Sequence, residues 1–190
     1  RRIEPFAESI WPWVHDLEER NPGAVFFGGG IPPTDVIPVE RLRQAAALAW
    51  QDGADVLVYG EVRGYRPLRE LIAARMAARG AEVDPTDILI TNGAQQGIDL
   101  AARVFVDPGD LVLTEAPTFM DALRVFRSHE AEPVGIPVDE EGLDVAALAA
   151  TLDRLPKRPK FLYTVPTYQN PMGVTMPAAR RRALVDLARE

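Results

Sequence analysis

Three short stretches gather side chains and small residues that could hold a polar ligand. "TNGAQQG" places Gly93, Ala94 and Gln95 directly before an apolar, helix-like run. Small residues let a backbone approach a ligand closely. The first turn of a helix adds unsatisfied N–H groups and partial positive charge, so a phosphate fits there. The same residues also suit an ordinary strand-to-helix turn. "TEAPTFMD" sets Phe119 just past an apolar strand. A ring in that place can stack on a flat heterocycle, or it can be a core residue that starts a helix. "YTVPTYQNPMGV" begins as a β-rich apolar run and then collects Tyr168, Gln169 and Asn170 before Pro171 and Gly173. The Asn170 amide can donate and accept at once. Pro171 can fix the loop, with a cis bond available to it, and Gly173 permits a tight exit. Asn-Pro is a common turn pair, but a turn alone does not call for three hydrogen-bonding side chains at a strand's end.

Two further loops carry chemistry at lower density. "LVYGEVRGYRPLRE" offers Tyr59 as a hydrogen-bond donor, and Arg63 and Arg66 as bidentate partners for carboxylate or phosphate. For the arginines, a solvated basic loop is the preferred reading. "FFGGGIPP" lets backbone lie close to something small at Gly28, Gly29 and Gly30. Other chemistries lack their residues. The chain has no cysteine, which excludes disulfides and thiolate zinc, and its two histidines, His15 and His129, argue against a His-rich metal site. No G-x-G-x-x-G or G-x-x-x-x-G-K-[ST] occurs, which sets aside a generic dinucleotide-binding protein. A net charge of −7 favours neither nucleic acid nor an anionic membrane. No apolar run approaches the ~20 residues of a membrane span, and the first residues lack a signal-peptide core. A soluble cytoplasmic protein is the expectation.

The elements that must position these loops follow from periodicity. "ESIWPWVHDLEER" has helical spacing and stops at Asn21-Pro22-Gly23. "AVFFGGGIPPTDVIP" reads as a short strand and a Gly/Pro loop, "VERLRQAAALAWQDG" as an amphipathic helix, and "RPLRELIAARMAARG" as a helix capped by Gly80. From Asp84-Pro85 onward strands and helices alternate. The strands are "DILIT", "DLVLTE", "AEPVGIPV" and "KFLYTV"; the helices are "IDLAARVFV", "MDALRVFRSH", "DVAALAATLDRL" and "PAARRRALVDLA". Four strand-helix units predict an α/β fold with a mainly parallel sheet and flanking helices. Ligands of such sheets bind at the carboxyl ends of the strands, which is where the three loops fall.

In this order and spacing, "GGGIP", "YGEVRGYRPLRELIA", "ILITNGAQQGIDLAARVFVDPGDLVLTEAPTF" and "PTYQNPMGVTM" resemble the fold-type I pyridoxal-phosphate enzymes of the class I/II aminotransferase group. The look is nearest to the branch of the 2-aminoadipate and aromatic aminotransferases, and the aminotransferase-like half of MocR-type transcription regulators is similar too. The resemblance implies an incomplete large domain of the PLP-dependent transferase fold over residues 53–190. Residues 1–52 would form an N-terminal arm and part of a small domain. It also implies roles. Gly93, Ala94 and Gln95 would cradle the phosphate of pyridoxal 5'-phosphate, Phe119 would stack on its ring, and Asn170 would bond its O3′ and help hold the substrate carboxylate. Many relatives have Tyr where Phe119 stands. Tyr59 would reach the cofactor of a neighbouring subunit, which implies a homodimer with shared sites. Gly29, Gly30 and Ile31 would line the substrate pocket. Substrates would be an amino acid and a 2-oxo acid.

The family's Schiff-base lysine should follow the Asn-Pro-Met-Gly loop, whereas Lys157 and Lys160 precede it, so neither is catalytic. That lysine, the acidic partner of the ring nitrogen and the substrate-clamping arginine are all expected beyond Glu190. The chain starts at Arg1 and stops inside a helical pattern, so it is expected to be cut at both ends and inactive alone. The alternative is the effector-binding half of a MocR-type regulator. In either case no nucleic acid is expected to bind through this segment.

Overall fold

The structure, a computed structural model, describes residues 11–25 and 32–189. Gly28, Gly29, Gly30 and Ile31, with the strand expected beside them, lie outside the described residues. The described chain divides into two compact units, residues 11–91 and 92–189.

The first unit is helical. α1 (Trp11–Arg20) ends where Asn21 turns back, its N–H 3.1 Å and its Nδ2 2.9 Å from the Leu17 carbonyl. α2 (Val39–Ala49) runs into a 3-10 stretch (Trp50–Leu57), and α3 is Arg66–Ala77. The α2 side chains Val39, Leu42 and Leu48 are exposed, so its apolar stripe finds no cover among the described residues. The loop before α3 is held by Arg69, which is 4% exposed. Its guanidinium donates to Gly64 O at 3.0 Å and Pro85 O at 2.8 Å, and to the Glu61 carboxylate. The segment "DILIT" is not a strand. Ile88 has extended angles, but the segment joins no ladder; its Ile90 N–H goes to Arg63 O at 2.9 Å. A strand exists only through pairing, and nothing among the described residues pairs there.

The second unit is a three-layer α/β structure. α4 (Gly93–Phe105) precedes β1 (Leu111–Ala116), α5 (Met120–Ser128) and β2 (Glu132–Asp139). A two-residue β3 (Gly142–Leu143), α6 (Val145–Leu152), β4 (Phe161–Tyr163) and α7 (Ala178–Leu187) follow. The sheet order is β3-β2-β1-β4. β2 and β4 pair parallel to β1, and β3 turns back antiparallel on β2. The parallel α/β reading therefore holds, with one short antiparallel edge.

β1 sits in the middle and explains itself. Leu111, Val112, Leu113, Thr114 and Glu115 are all buried, as a strand covered on both faces requires. Alternation sends Val112 to one face, with Ala102, Ala122, Val125 and Phe126. Leu113 goes to the other, with Ile136, Leu143, Leu148 and Met176. Phe126 anchors the first cluster and meets the rings of Phe161 and Tyr163 edge-on, with centroids 5.6 and 5.7 Å away. At Gly135 the neighbouring strand comes so close that a Cβ would stand 2.9 Å from that of Ala116. The outer edge of β4 is unpaired among the described residues. Apolar clefts of about 550 and 440 Å³ lie beside that strand, one of them reaching Leu113 and Leu184, the other Ala101 and Phe126.

Arg180 on α7 ties the β2–β3 hairpin down through Asp139, the Glu141 carboxylate at 2.9 Å and Gly142 O at 3.2 Å. Among the described residues no helix is long and apolar enough to cross a membrane.

Two outcomes test this core. Phe126→Ala removes a ring that is 1% exposed and should cost about 3–5 kcal/mol in urea denaturation; a loss below about 1 kcal/mol would show the site is not close-packed. The Asp139 carboxyl is held below its ordinary range, first by the Arg180 guanidinium and then by the Glu141 N–H. A depressed folded pKa gives stability that is present at neutral pH and lost as pH falls below about 4. Asp139→Asn should therefore lower the urea midpoint at pH 7, and the gap should narrow as the pH is taken towards 3.

Candidate functional site

The β1–β4 register sets Thr114 beside Tyr163, so the loops leaving these two strands start as neighbours. The first loop passes Pro117 and Thr118 to Phe119, the residue that caps α5. Phe119 is half-buried and packs against the Val112–Phe126 cluster, so its ring is partly core and partly open. The Thr118 hydroxyl beside it is buried and has no hydrogen-bond partner. The Ala116–Pro117 and Asn170–Pro171 peptides are both cis.

The second loop, from Thr164 to Met176, is fastened at both ends. Arg181 on α7 donates to Pro166 O at 2.7 Å, to the Thr167 hydroxyl at 2.9 Å and to Met176 O at 2.8 Å. Tyr168 takes a left-handed turn (φ 50°), and its N–H reaches the Thr175 hydroxyl at 3.1 Å. Its side chain is 79% exposed, so its support of the loop is through backbone. Gln169 is 2% exposed, and its amide is fully used. Nε2 donates to Glu115 at 2.8 Å and to Pro117 O at 2.8 Å, and Oε1 accepts the Met172 N–H at 2.8 Å. Asn170, next in the chain, is exposed, and its side chain makes no hydrogen bond among the described residues.

Glu115 was not singled out by sequence. It is 1% exposed and accepts from the Thr164 hydroxyl at 2.6 Å, the Val165 N–H at 3.1 Å and Gln169. The available signal was a carboxylate ending the buried apolar run "LVLT". Its charge reaches Tyr163: burial pushes that phenol above its ordinary range, and Glu115 adds to the rise.

The third expected element is the start of α4. "NGAQQG" is not a turn before the helix but its first turns. Gly93 has φ 77°, and an added Cβ would meet nothing within 4 Å. The side chain of Asn92 does not cap the helix, while Gln96 Oε1 accepts the Asn92 N–H at 2.5 Å. Ala94, with Gly97 and Ile98, lines the 440 Å³ cleft that also touches Phe126 and Tyr163. Gly93, Ala94 and Gln95 thus present a first turn with no side-chain cap from Asn92, in the unit that also carries Phe119 and Asn170.

Tyr59 belongs to the other unit and is fully exposed. The arginines near it are internally occupied: Arg63 donates to Thr86 O, and Arg66 lies 2.8 Å from Glu70. Lys157 and Lys160 sit at the amino end of the sheet. Lys157 donates to Gly109 O, and Lys160 lies 3.2 Å from Asp110, just before the strand starts at Leu111 and Phe161. The length of β1, at about 3.3 Å per residue, separates them from the loops.

The model of the family "Aminotransferase class I and II" matches residues 24–190. The aromatic-amino-acid aminotransferase 1 of Thermococcus litoralis is 40% identical over 169 residues, covering 86% of this chain and 40% of that protein. A solved alpha-aminoadipate aminotransferase from Thermus thermophilus, complexed with N-(5'-phosphopyridoxyl)-L-leucine, superposes with a TM-score of 0.78 at 36% identity. That likeness covers 91% of this chain and 43% of the other. An uncharacterized HTH-type transcriptional regulator of Escherichia coli, YjiR, is 38% identical over 188 residues, covering 97% of this chain and 40% of the regulator. The chain spans less than half the length of each of these relatives.

Gly93→Ala tests the α4 turn. Space is open at the Cβ, so any loss comes from backbone: about 1–2 kcal/mol for Ala at positive φ. Gly93→Asn should lose less in the same urea titration, because Asn tolerates that conformation. Equal losses for both would show that the left-handed turn is not what Gly93 supplies.

Proposed function

The chain belongs to the aminotransferase class I and II family, and from that premise we propose that the protein containing it is a pyridoxal-phosphate-dependent aminotransferase. It moves an amino group between an amino acid and a 2-oxo acid. The observation that carries this reading is the unbonded Asn170 amide, on a loop hydrogen-bonded to the one that bears Phe119.

The residues present fit a phosphorylated pyridine. The first turn of α4 begins on a glycine whose added Cβ would meet nothing within 4 Å, and its N-terminal dipole favours a phosphate on Gly93, Ala94 and Gln95. The partly open Phe119 ring offers a stacking face. Asn170 has one free amide N–H for the ring's O3′ and a second for the substrate carboxylate. The orphaned Thr118 hydroxyl is a further polar group beside that face. When bound, the cofactor supplies an electron sink for the substrate's Cα. The chain's own part is to fix the phosphate, hold the ring flat and orient its oxygen.

Several finer points belong to the same proposal. Residues 53–190 form the first part of the cofactor-binding domain, and residues 1–52 an arm and part of a small domain. Gly29, Gly30 and Ile31 line the substrate pocket. Tyr59, exposed on its own unit, reaches the cofactor phosphate of a second copy, which makes the protein a homodimer. It works in the cytoplasm. The lysine that carries the resting cofactor is supplied by chain that follows residue 190. A second reading, an effector-binding half of a regulator, is favoured by the likeness to YjiR over 97% of this chain.

The intact protein, purified with pyridoxal 5'-phosphate, should show an absorbance band near the visible edge and bleach it when the right amino acid is added. A protein that stays colourless would sink the cofactor reading. A band that no amino acid bleaches would favour the regulator. Asn170→Ala should change the band's pH response, and an unchanged titration would remove Asn170 from the O3′ role.

A further inference from the structure

Glu115 and Gln169 have no part in the reading above, yet they are the most buried polar groups near it, at 1% and 2% exposure. Among the described residues no cation pairs with Glu115, so hydrogen-bond donors alone meet its charge. Those donors come from the start of the second loop and from Gln169. Gln169 then spends its remaining donor on Pro117 O, two residues before Phe119, and its acceptor on the Met172 N–H, two residues after Asn170. One amide group therefore joins both loops, and one carboxylate fixes that amide. Rotating Gln169 would break bonds on both sides together.

We propose that Glu115 and Gln169 are a positioning pair: the Glu115 carboxylate orients the Gln169 amide, and this sets the relative placement of Phe119 and Asn170, and with it the tilt of a bound pyridine. The pair does not touch the ring. Its role rests on the assignment of Phe119 and Asn170 as ring contacts. A carboxylate suits position 115 because every neighbour there donates. An amide would turn an NH₂ group against one of the three donors, from Thr164, Val165 or Gln169. An apolar side chain would leave all of them unpaired in the interior.

The two residues can be tested against each other in the intact protein. Exchanging them, in E115Q/Q169E, lets the new amide at 115 donate to the new carboxylate at 169, which still accepts from Met172; the bond to Pro117 O is the one lost. The probe is pyridoxal 5'-phosphate, read by its dissociation constant and by visible circular dichroism per bound cofactor. E115Q and Q169E should each weaken binding about tenfold and reduce the ellipticity, as expected for one lost charge-assisted bond. The double variant rebuilds the 115–169 bond but not the one to Pro117 O, so it should regain part of the affinity and part of the ellipticity. T164V removes one donor to the same carboxylate but leaves the Gln169 bonds, so it should lower the melting temperature while leaving the ellipticity at the parent's value.

Two results would overturn the pair's role: parental ellipticity in folded single variants, or a double variant no better than the sum of the singles. If a single variant fails to fold, Gln169→Leu keeps the volume, removes the amide, and must also lose ellipticity. A parent protein that binds no pyridoxal phosphate would instead sink the cofactor assignment itself, a result distinct from parental ellipticity in the variants.

Discussion

The candidate site depends on a buried carboxylate that has to be solvated by protein. Glu115 stands at the end of a strand covered on both faces, where water cannot serve it. Burying such a charge is expensive unless donors converge on it. The parallel register of β1 and β4 supplies two of them, because Thr164 and Val165 follow directly on the strand beside it. Gln169 supplies the third and carries the constraint outward into the loop. Loops at a sheet's edge are ordinarily its most mobile parts. Here a charge in the core gives two of them a fixed geometry.

The rest of the unit is arranged around that geometry. Helices α4 and α5 cover one face of β1, and α6 and α7 cover the other, so the strand ends are held by core packing. Arg181 performs for the far side of the second loop what Gln169 does for the near side, spanning from α7 to Pro166 and Met176. Asn170, between these two fixed points, has its side chain uncommitted. The contrast between a saturated Gln169 and a free Asn170 is the physical ground for proposing one as support and the other as contact.

Much of this was legible in the sequence, for reasons specific to each element. β1 announced itself by an unbroken apolar run, and α3, α5 and α7 by helical spacing. Gly93, Phe119 and Asn170 were singled out because they fall at strand ends, and their proposed roles came from the family resemblance. "DILIT" misled because alternation and apolarity describe a strand's side chains, while a strand is made by a partner's backbone, and the sequence does not say which segment that is. Glu115 was missed for a related reason. Its role lies in pairing with Gln169 across 54 residues of chain, and neither residue alone is odd. The arginines of the Tyr59 loop were read as a solvated basic loop; Arg66 is exposed beside Glu70, and Arg63 donates to the Thr86 carbonyl.

The placement of the lysines has a practical side. Pyridoxal phosphate is an aldehyde and condenses with any accessible amine. The side-chain amines this chain offers are those of Lys157 and Lys160, and both are anchored at the amino end of the sheet, on Gly109 and Asp110. Adducts on these two lysines would thus form a β-strand's length away from Asn170 and Phe119, the ring contacts proposed above. Their colour would carry little of the induced asymmetry of a ring held in place. Amine-directed labelling of this segment therefore marks the amino end of the sheet, and serves as an internal blank for the proposed site at the other.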